Sequence, residues 1–306
     1  MSTTPPKTPA ATAATTGPRG AAEGGLWADA FGVLRRNRAA MVAAATLALL
    51  AVLVVVVPAV SPNAFDRPDW DHISAPPALE GGRLFGTDSL GRDLLTRTFY
   101  GGRMSLLVGL VATLVSLVLG ITWGAVAGYA GGRVDRVMMR IVDILYALPF
   151  MFLVILLMVL FGRNILLIFV AIGAINWLDM ARIVRGQTLG LKEREFVEAA
   201  RAMGVPPGAI IRRHIVPNLL GVVAVYVTLT IPQVILVESF LSFLGLGVQE
   251  PMTSWGALVN EGAQELETAP WSLVFPAAFL AVTLLCFNFL GDGLRDALDP
   301  RDRSAG

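Results

Sequence analysis

Six stretches of the chain run for about 20 residues through Leu, Val, Ile, Ala and Phe with few or no charges, the length a helix needs to cross a hydrocarbon core of roughly 30 Å. They are Ala39 to Val60, Met104 to Tyr129, Val137 to Phe161, Ile165 to Ile183, Leu219 to Leu246 and Trp271 to Leu290. In hydrocarbon every backbone N–H and C=O must be satisfied within the chain, which leaves helices or a closed barrel. These runs are continuously apolar rather than alternating, so helices are selected. A mean hydropathy of +0.66 with 15% charged residues agrees. The sequence therefore predicts an all-α membrane protein with about six transmembrane helices.

The segments between these runs give the organisation. Residues 1–25 are Thr, Pro, Ala and Gly with almost no large apolar side chain, too little to offset the entropy of ordering, and are expected to form a disordered cytoplasmic tail. Residues 26–38 place Leu26, Trp27, Phe31 and Leu34 at helical spacing ahead of Arg35, Arg36 and Arg38, the pattern of an interfacial amphipathic helix. The run at 39–60 is too long, and its polar leader too extended, for a cleaved signal peptide. An extracytoplasmic loop at 61–102 follows, then a five-helix core at 103–290 and a C-terminal tail at 291–306. The core carries an inner hairpin at 190–217 and an outer loop at 247–270.

Arginine placement orients the chain, since Lys and Arg collect on the cytoplasmic side. With the N-terminus inside, the inner segments carry Arg35, Arg36, Arg38, Arg133, Arg136, Arg140, the hairpin arginines, Arg295, Arg301 and Arg303. The loop 247–270 carries Glu250, Glu261, Glu265 and Glu267 and no basic residue. Both termini come out cytoplasmic. The segment 61–102 dissents with Arg67, Arg83, Arg92 and Arg97, although Asp66, Asp69, Asp71, Asp88 and Asp93 accompany them.

The hairpin reads Glu-Ala-Ala-Arg-Ala-Met-Gly-Val-Pro-Pro-Gly-Ala-Ile-Ile-Arg-Arg-His-Ile-Val-Pro from Glu198 to Pro217. A helix through Glu198, Ala199 and Ala200 is expected to stop at Gly204. Pro206 and Pro207 open a second short helix through Ile210 and Ile211 to His214, and Pro217 starts the next span. Rimmed by Arg194, Arg201, Arg212 and Arg213, it is either a solvated structural elbow or a docking surface for a soluble partner, with Ala199, Ala200 and Ala202 keeping that surface thin.

Other residues carry paired readings. Gly120, Gly124 and Gly128 repeat every four residues, which suits close helix packing. Pro149, Pro232 and Pro276 interrupt apolar runs and predict kinks. Arg136, Arg140 and Asp143 share a helix face, so an Arg140–Asp143 contact is expected. Glu238 lies inside a span, where a carboxylate must pair, protonate or face water; it is either a buried hydrogen-bonding group or a pathway residue, and Asn288 poses the same question.

Several function classes are disfavoured. A net charge of +1 offers no basic surface for nucleic acid. Cys286 has no partner within the chain, and His72 and His214 lie in no metal-ligand cluster, so no metal site is expected. There is no G-x-x-x-x-G-K-[ST], G-x-S-x-G or H-E-x-x-H motif. No catalytic residue is expected, and ATP is not expected to bind this chain.

The hairpin resembles the EAA loop of the permease subunits of ABC importers, matching it at Glu198, Ala199, Ala200, Gly204 and Pro217. His214 and Val216 stand where the general pattern has Ile and Leu. The form Arg213-His-Ile-Val-Pro-Asn218 is similar to the variant of the oligopeptide and dipeptide branch, which also imports nickel, metallophores and glutathione. Three further stretches point the same way: Phe85-Gly-Thr-Asp-Ser-Leu-Gly-Arg-Asp-Leu-Leu-Thr-Arg, Leu241-Ser-Phe-Leu-Gly-Leu-Gly-Val-Gln-Glu-Pro, and Gly291-Asp-Gly-Leu-Arg-Asp-Ala-Leu-Asp-Pro-Arg. Together they resemble the C-type permease of such importers, over nearly all of Leu26 to Arg301.

The resemblance implies a type I ABC-importer permease fold in a bacterial plasma membrane. It implies as partners a homologous B-type permease, an extracytoplasmic substrate-binding protein, and two ATPase subunits that bind ATP and Mg. It also implies an ATPase-coupling surface formed by Glu198, Ala199, Ala200, Gly204, Ile210, Ile211, Arg212, Arg213, His214 and Pro217. Two other classes stand beside this one: a secondary transporter built on Glu238 and Asn288, although no internal repeat is visible, and a non-transporting membrane scaffold.

Overall fold

The computed structural model describes residues 26–79, 82–162 and 165–298. The tail expected at 1–25 and the basic residues Arg301 and Arg303 lie outside the described residues. The described residues are helical, and no strand occurs among them.

Helix α1 (Leu26–Arg36) gives way at Asn37 to α2 (Arg38–Val60), whose first turn is capped by the Asn37 side chain accepting from Ala40 N at 3.1 Å. An irregular segment with a 3₁₀ turn at Trp70–His72 leads to α3 (Leu94–Ala130). Asp93 caps α3, accepting from Thr96 N at 2.9 Å and from its hydroxyl at 2.6 Å. At 37 residues α3 is about 55 Å long, so it projects well beyond the hydrocarbon core. It begins ten residues before the expected span because Phe85 to Arg97 folds as its cap rather than as loose loop.

The expected span Val137 to Phe161 is two helices, α4 (Gly132–Ala147) and α5 (Phe150–Phe161). Pro149 forces Leu148 into extended backbone, with ψ of 132°. α5 alone, at 12 residues or about 18 Å, is too short to cross. Pro232 and Pro276 behave otherwise: both are buried within continuous helices.

α6 (Ile165–Leu191) returns along α3, and α7 (Glu195–Ala202) and α8 (Pro207–Ile210) form the hairpin. α9 (Val216–Phe243) does not start afresh at Pro217. A π turn at Ile211–Ile215, with Val216 N donating to Ile211 O, joins α8 to α9, giving one apolar rod from Pro207 to Phe243. α10 (Trp255–Gln264) and α11 (Trp271–Leu298) complete the chain. α11 continues eight residues past the expected end of its span, so Gly291 to Leu298 is helix rather than free tail.

Among the described residues, four helical segments are long and apolar enough to cross a membrane: Arg38–Val60, Leu94–Ala130, Pro207–Phe243 and Trp271–Leu298. α3 is the central post, packed against α6, α9 and α2, and α11 closes against α2, α9 and α10. One apolar cluster joins α3, α5, α6 and α9 through Val108, Val154, Ile172 and Leu241. A second joins the hairpin to α3, α6 and α9 through Ala125, Val184, Val197 and Ile210. The outward faces stay apolar, as Leu49, Val52 and Val55 of α2 illustrate, which suits lipid rather than water.

The glycine row of α3 sits where backbones meet. A Cβ on Gly120 would collide with Met180, one on Gly124 would lie 2.5 Å from the Ala181 carbonyl oxygen, and one on Gly128 would lie 2.8 Å from Thr188 Cβ. Gly291 and Gly293 give α11 equally close approaches to Leu229 and to Ala40.

Candidate functional site

The hairpin is a stiff structure built by local backbone bonding. α7 ends in a Schellman turn: Gly204 N donates to Arg201 O at 3.0 Å and Val205 N to Ala200 O at 3.1 Å. Gly204 has φ of +79°, a conformation that costs residues with a Cβ about 1–2 kcal/mol. Pro206 then caps α8, its carbonyl accepting from Ala209 N and Ile210 N, and Pro207 occupies a first-turn position that needs no donor.

Side chains on the hairpin divide by helical period. Val197, Ala200, Ile210 and Ile215 are buried against α3 and α6, with Val205 and Ile211 partly buried beside them. Glu198, Ala199, Arg201, Ala202, Met203, Arg212, Arg213 and Pro217 are exposed, and His214 is half-buried beside the Phe196 ring. Ala200 and Ile210, expected on the outer surface, therefore face inward. Ala200 is small because α7 lies close on the bundle. The exposed rim is a shallow ridge bearing Arg194, Arg201, Arg212 and Arg213, held rigidly to the bundle core and continuous with α9.

Glu238 is fully buried where α3, α9 and α10 meet. It accepts from Ser242 Oγ at 2.6 Å and from Ser105 Oγ at 3.3 Å, and Ser105 Oγ in turn accepts from Trp255 N at 3.1 Å. Ser242 also lies 3.2 Å from Ser254, the cap of α10. The carboxylate closes a polar knot and is shut off from the surface. Asn288 is exposed on α11 without a hydrogen bond among the described residues.

The expected Arg140–Asp143 contact is not formed. Asp143 instead accepts from Arg182 of α6 at 2.9 Å, Arg182 lies 4.4 Å from the Tyr146 ring, and Arg140 is exposed. A neighbouring helix offers Asp143 a partner from across the bundle, which helical spacing alone does not reveal. Asp135 and Arg185 tie the same two helices by two bonds of 2.5 and 2.6 Å.

The arginines of segment 61–102 that dissented from the orientation rule are largely neutralised. Asp88 accepts from Arg92 Nε at 2.8 Å and from Arg97, while Arg92 reaches Glu250 at 2.8 Å and Arg97 reaches Glu261 at 2.8 Å. Arg83 pairs with Asp69. Gly91, at φ of +73°, brings its Cα against the Asp69 carbonyl so closely that no Cβ fits. Burial pushes the Glu261 carboxyl above its ordinary value, against the opposing pull of Arg97 and Arg92. The His72 hydrogen bond, with help from Asp71 N and Arg83, holds Asp69 below its own. This network fastens the cap of α3 to α10 and the segment before it, a link between residues far apart in sequence that gave no local sign of it.

Asp179 escaped the sequence reading. It stands in the middle of α6, half-buried, on a cavity of about 330 Å³ between α4, α6 and α9. The signal was available, since the rule that singles out Glu238 applies equally to an aspartate inside the run Ile165 to Ile183. Among the described residues, no group of three or more His, Cys, Asp or Glu is placed to hold a metal ion.

A hairpin packed on the bundle, a glycine-packed central post and a charge-locked cap of α3 thus belong to a helical bundle with four segments able to cross a membrane. Residues 120–304 match the family described as binding-protein-dependent transport system inner membrane component, and residues 25–77 match the N-terminal TM domain of oligopeptide transport permease C. The chain belongs to this family of inner-membrane transport components. It is 58% identical to the oligopeptide transport system permease protein OppC of Haemophilus influenzae, over 91% of this chain and 89% of that one. It is 59% identical to OppC of Escherichia coli K12, over 91% and 92%. The dipeptide transport system permease protein DppC of Bacillus subtilis is 47% identical over 90% and 86%. Among solved structures, an inward-facing MetNI methionine ABC transporter chain aligns with a TM-score of 0.50 at 20% identity, covering 67% of this chain and 96% of that one, a likeness of fold.

Proposed function

We propose that this chain is one of two permease subunits of an ATP-driven importer of oligopeptides and dipeptides, and that the hairpin Glu195–Pro217 is its mechanical input. The carrying observation is the hairpin's construction: an exposed ridge, locked by a Schellman turn at Gly204, packed into the bundle and continuous with α9. Displacement applied to such a ridge passes into a membrane rod without being absorbed by a loop. The peptide substrate rests on the likeness to the oligopeptide and dipeptide permeases reported above.

In this reading six crossings are made by α2, α3, the α4–α5 pair, α6, the α8–α9 rod and α11, with both termini cytoplasmic. Three of the four arginines of segment 61–102, Arg83, Arg92 and Arg97, are consumed in ion pairs, which weakens their weight against that orientation. The ridge docks on an ATPase subunit, ATP and Mg are bound by the two ATPase subunits, and a homologous permease supplies the other half of the pathway. An extracytoplasmic binding protein delivers cargo to the outer cap. The energy for alternating access comes from the difference between the ATPase's two states.

The test is reconstitution with all partners in liposomes. Tripeptide uptake should require ATP, and Gly204→Val should let hydrolysis continue while uptake falls. Undiminished uptake in Gly204→Val contradicts the role of the hairpin, and uptake without any ATPase subunit contradicts the importer reading.

A further inference from the structure

Asp179, inside α6, lines a cavity, and among the described residues it has neither a hydrogen bond nor an ion pair. Its helical neighbour Arg182, three residues on, is within reach of it on the same face. Arg182 is committed elsewhere, paired to Asp143 at 2.9 Å and laid 4.4 Å from the Tyr146 ring. The cavity wall thus carries one carboxylate, half-buried near the end of the apolar run Ile165 to Ile183, where a charge is costly unless it meets a partner, a ligand or water.

The rest of the lining is selective. Asn176, one turn before Asp179, spends its amide N–H on Ile172 O at 2.9 Å, which leaves its side-chain oxygen to accept. Ile175, Leu148 and Val237 supply apolar walls. Gln233, one turn before Val237 on α9, is exposed in mid-span, so the polar surface continues beyond the cavity. The wall therefore sets the Asp179 carboxylate and the Asn176 side-chain oxygen, with Tyr146 also in the lining, among apolar side chains, and these oxygens can accept from an ammonium group with its three donors and no acceptor. At about 330 Å³ it is at the small end of ligand pockets, roughly 300–1,000 Å³, and holds one end of a short peptide rather than the whole.

We propose that Asp179 and Asn176 form an ammonium-binding station in the translocation pathway, the carboxylate taking the charge and the amide oxygen one N–H. This rests on the peptide-importer reading above. The ammonium is either the amino terminus of the cargo or a lysine side chain, which share the same chemistry.

The complete transporter is reconstituted with its binding protein and ATPases, and peptide imported per ATP hydrolysed is measured for trialanine and for Ala-Lys-Ala. The ratio is used because a loss of assembly lowers both of its parts. Asp179→Asn should lower the ratio about tenfold, the scale of one lost charge-assisted hydrogen bond, and Asp179→Glu should recover most of it. Equal loss for both peptides identifies the amino terminus, and loss confined to Ala-Lys-Ala identifies the lysine. An unchanged ratio for both, or a loss that Asp179→Glu does not recover, overturns the station. If Asp179→Asn does not assemble, Asn176→Leu takes its place, with a severalfold loss expected and an unchanged ratio again overturning it. Wild type that imports neither peptide on ATP overturns the importer reading itself, a separate result.

Discussion

Arg97, in the first turn of α3, reaches Glu261 in α10 with one terminal nitrogen lying 2.8 and 3.1 Å from the two carboxylate oxygens, across 164 residues of sequence. Arg97 is almost fully buried and is held at its other nitrogen by Asp88. Its removal leaves Asp88 and Glu261 to Arg92 alone, and breaking a buried pair costs up to about 3–5 kcal/mol. Arg97→Met should lower stability on that scale, visible as a reduced unfolding temperature in detergent. A change within experimental error would show that the network is ornamental.

Glu261 also sets a pH dependence. Its carboxyl is raised by burial above the unfolded value, so its contribution to stability is fully present below the unfolded value and is lost as pH rises through the folded one. The unfolding temperature of wild type relative to Glu261→Gln should therefore be higher near pH 4 than near pH 7.5. The opposite trend would mean that Arg97 and Arg92 outweigh desolvation.

Glu238 is held by two serines in the knot beneath α10. Glu238→Gln keeps an acceptor and should be close to wild type. Glu238→Leu leaves Ser105 and Ser242 short of a partner and should cost about 1–3 kcal/mol. Thermal unfolding of the two variants distinguishes this account from a pathway role, in which both would fold normally and both would lose transport.

Gly124 lies beneath the Ala181 carbonyl. Gly124→Leu must push α6 away from α3 and should cost about 1–3 kcal/mol or more as overpacking, with reduced yield of assembled complex. Normal stability in that variant would contradict the contact.

Four of the six expected spans coincide with helical segments long and apolar enough to cross a membrane, and these were legible because apolar length is a one-dimensional property. Where a helix breaks or continues was less so: Pro149 splits α4 from α5, yet Pro232 and Pro276 are absorbed, and Pro217 is bridged by a π turn. The difference lies in the neighbouring helices, which no local pattern encodes. The hairpin's turn could be read from Gly204 and the two prolines. The inward direction of Ala200 and Ile210 could not, since it depends on α3 and α6 lying behind them. The arginines 92 and 97 looked anomalous because their partners Glu250 and Glu261 lie far along the chain.

The account stands on the ridge touching an ATPase. Met203, the most exposed large apolar side chain of the hairpin at 76%, is the place to ask. With a photoreactive residue substituted there in the assembled complex, irradiation should join this chain to the ATPase subunit, in a yield that changes when ATP is added. No adduct with the ATPase, or labelling of Met203→Cys only by reagents confined to the outer face, would contradict it.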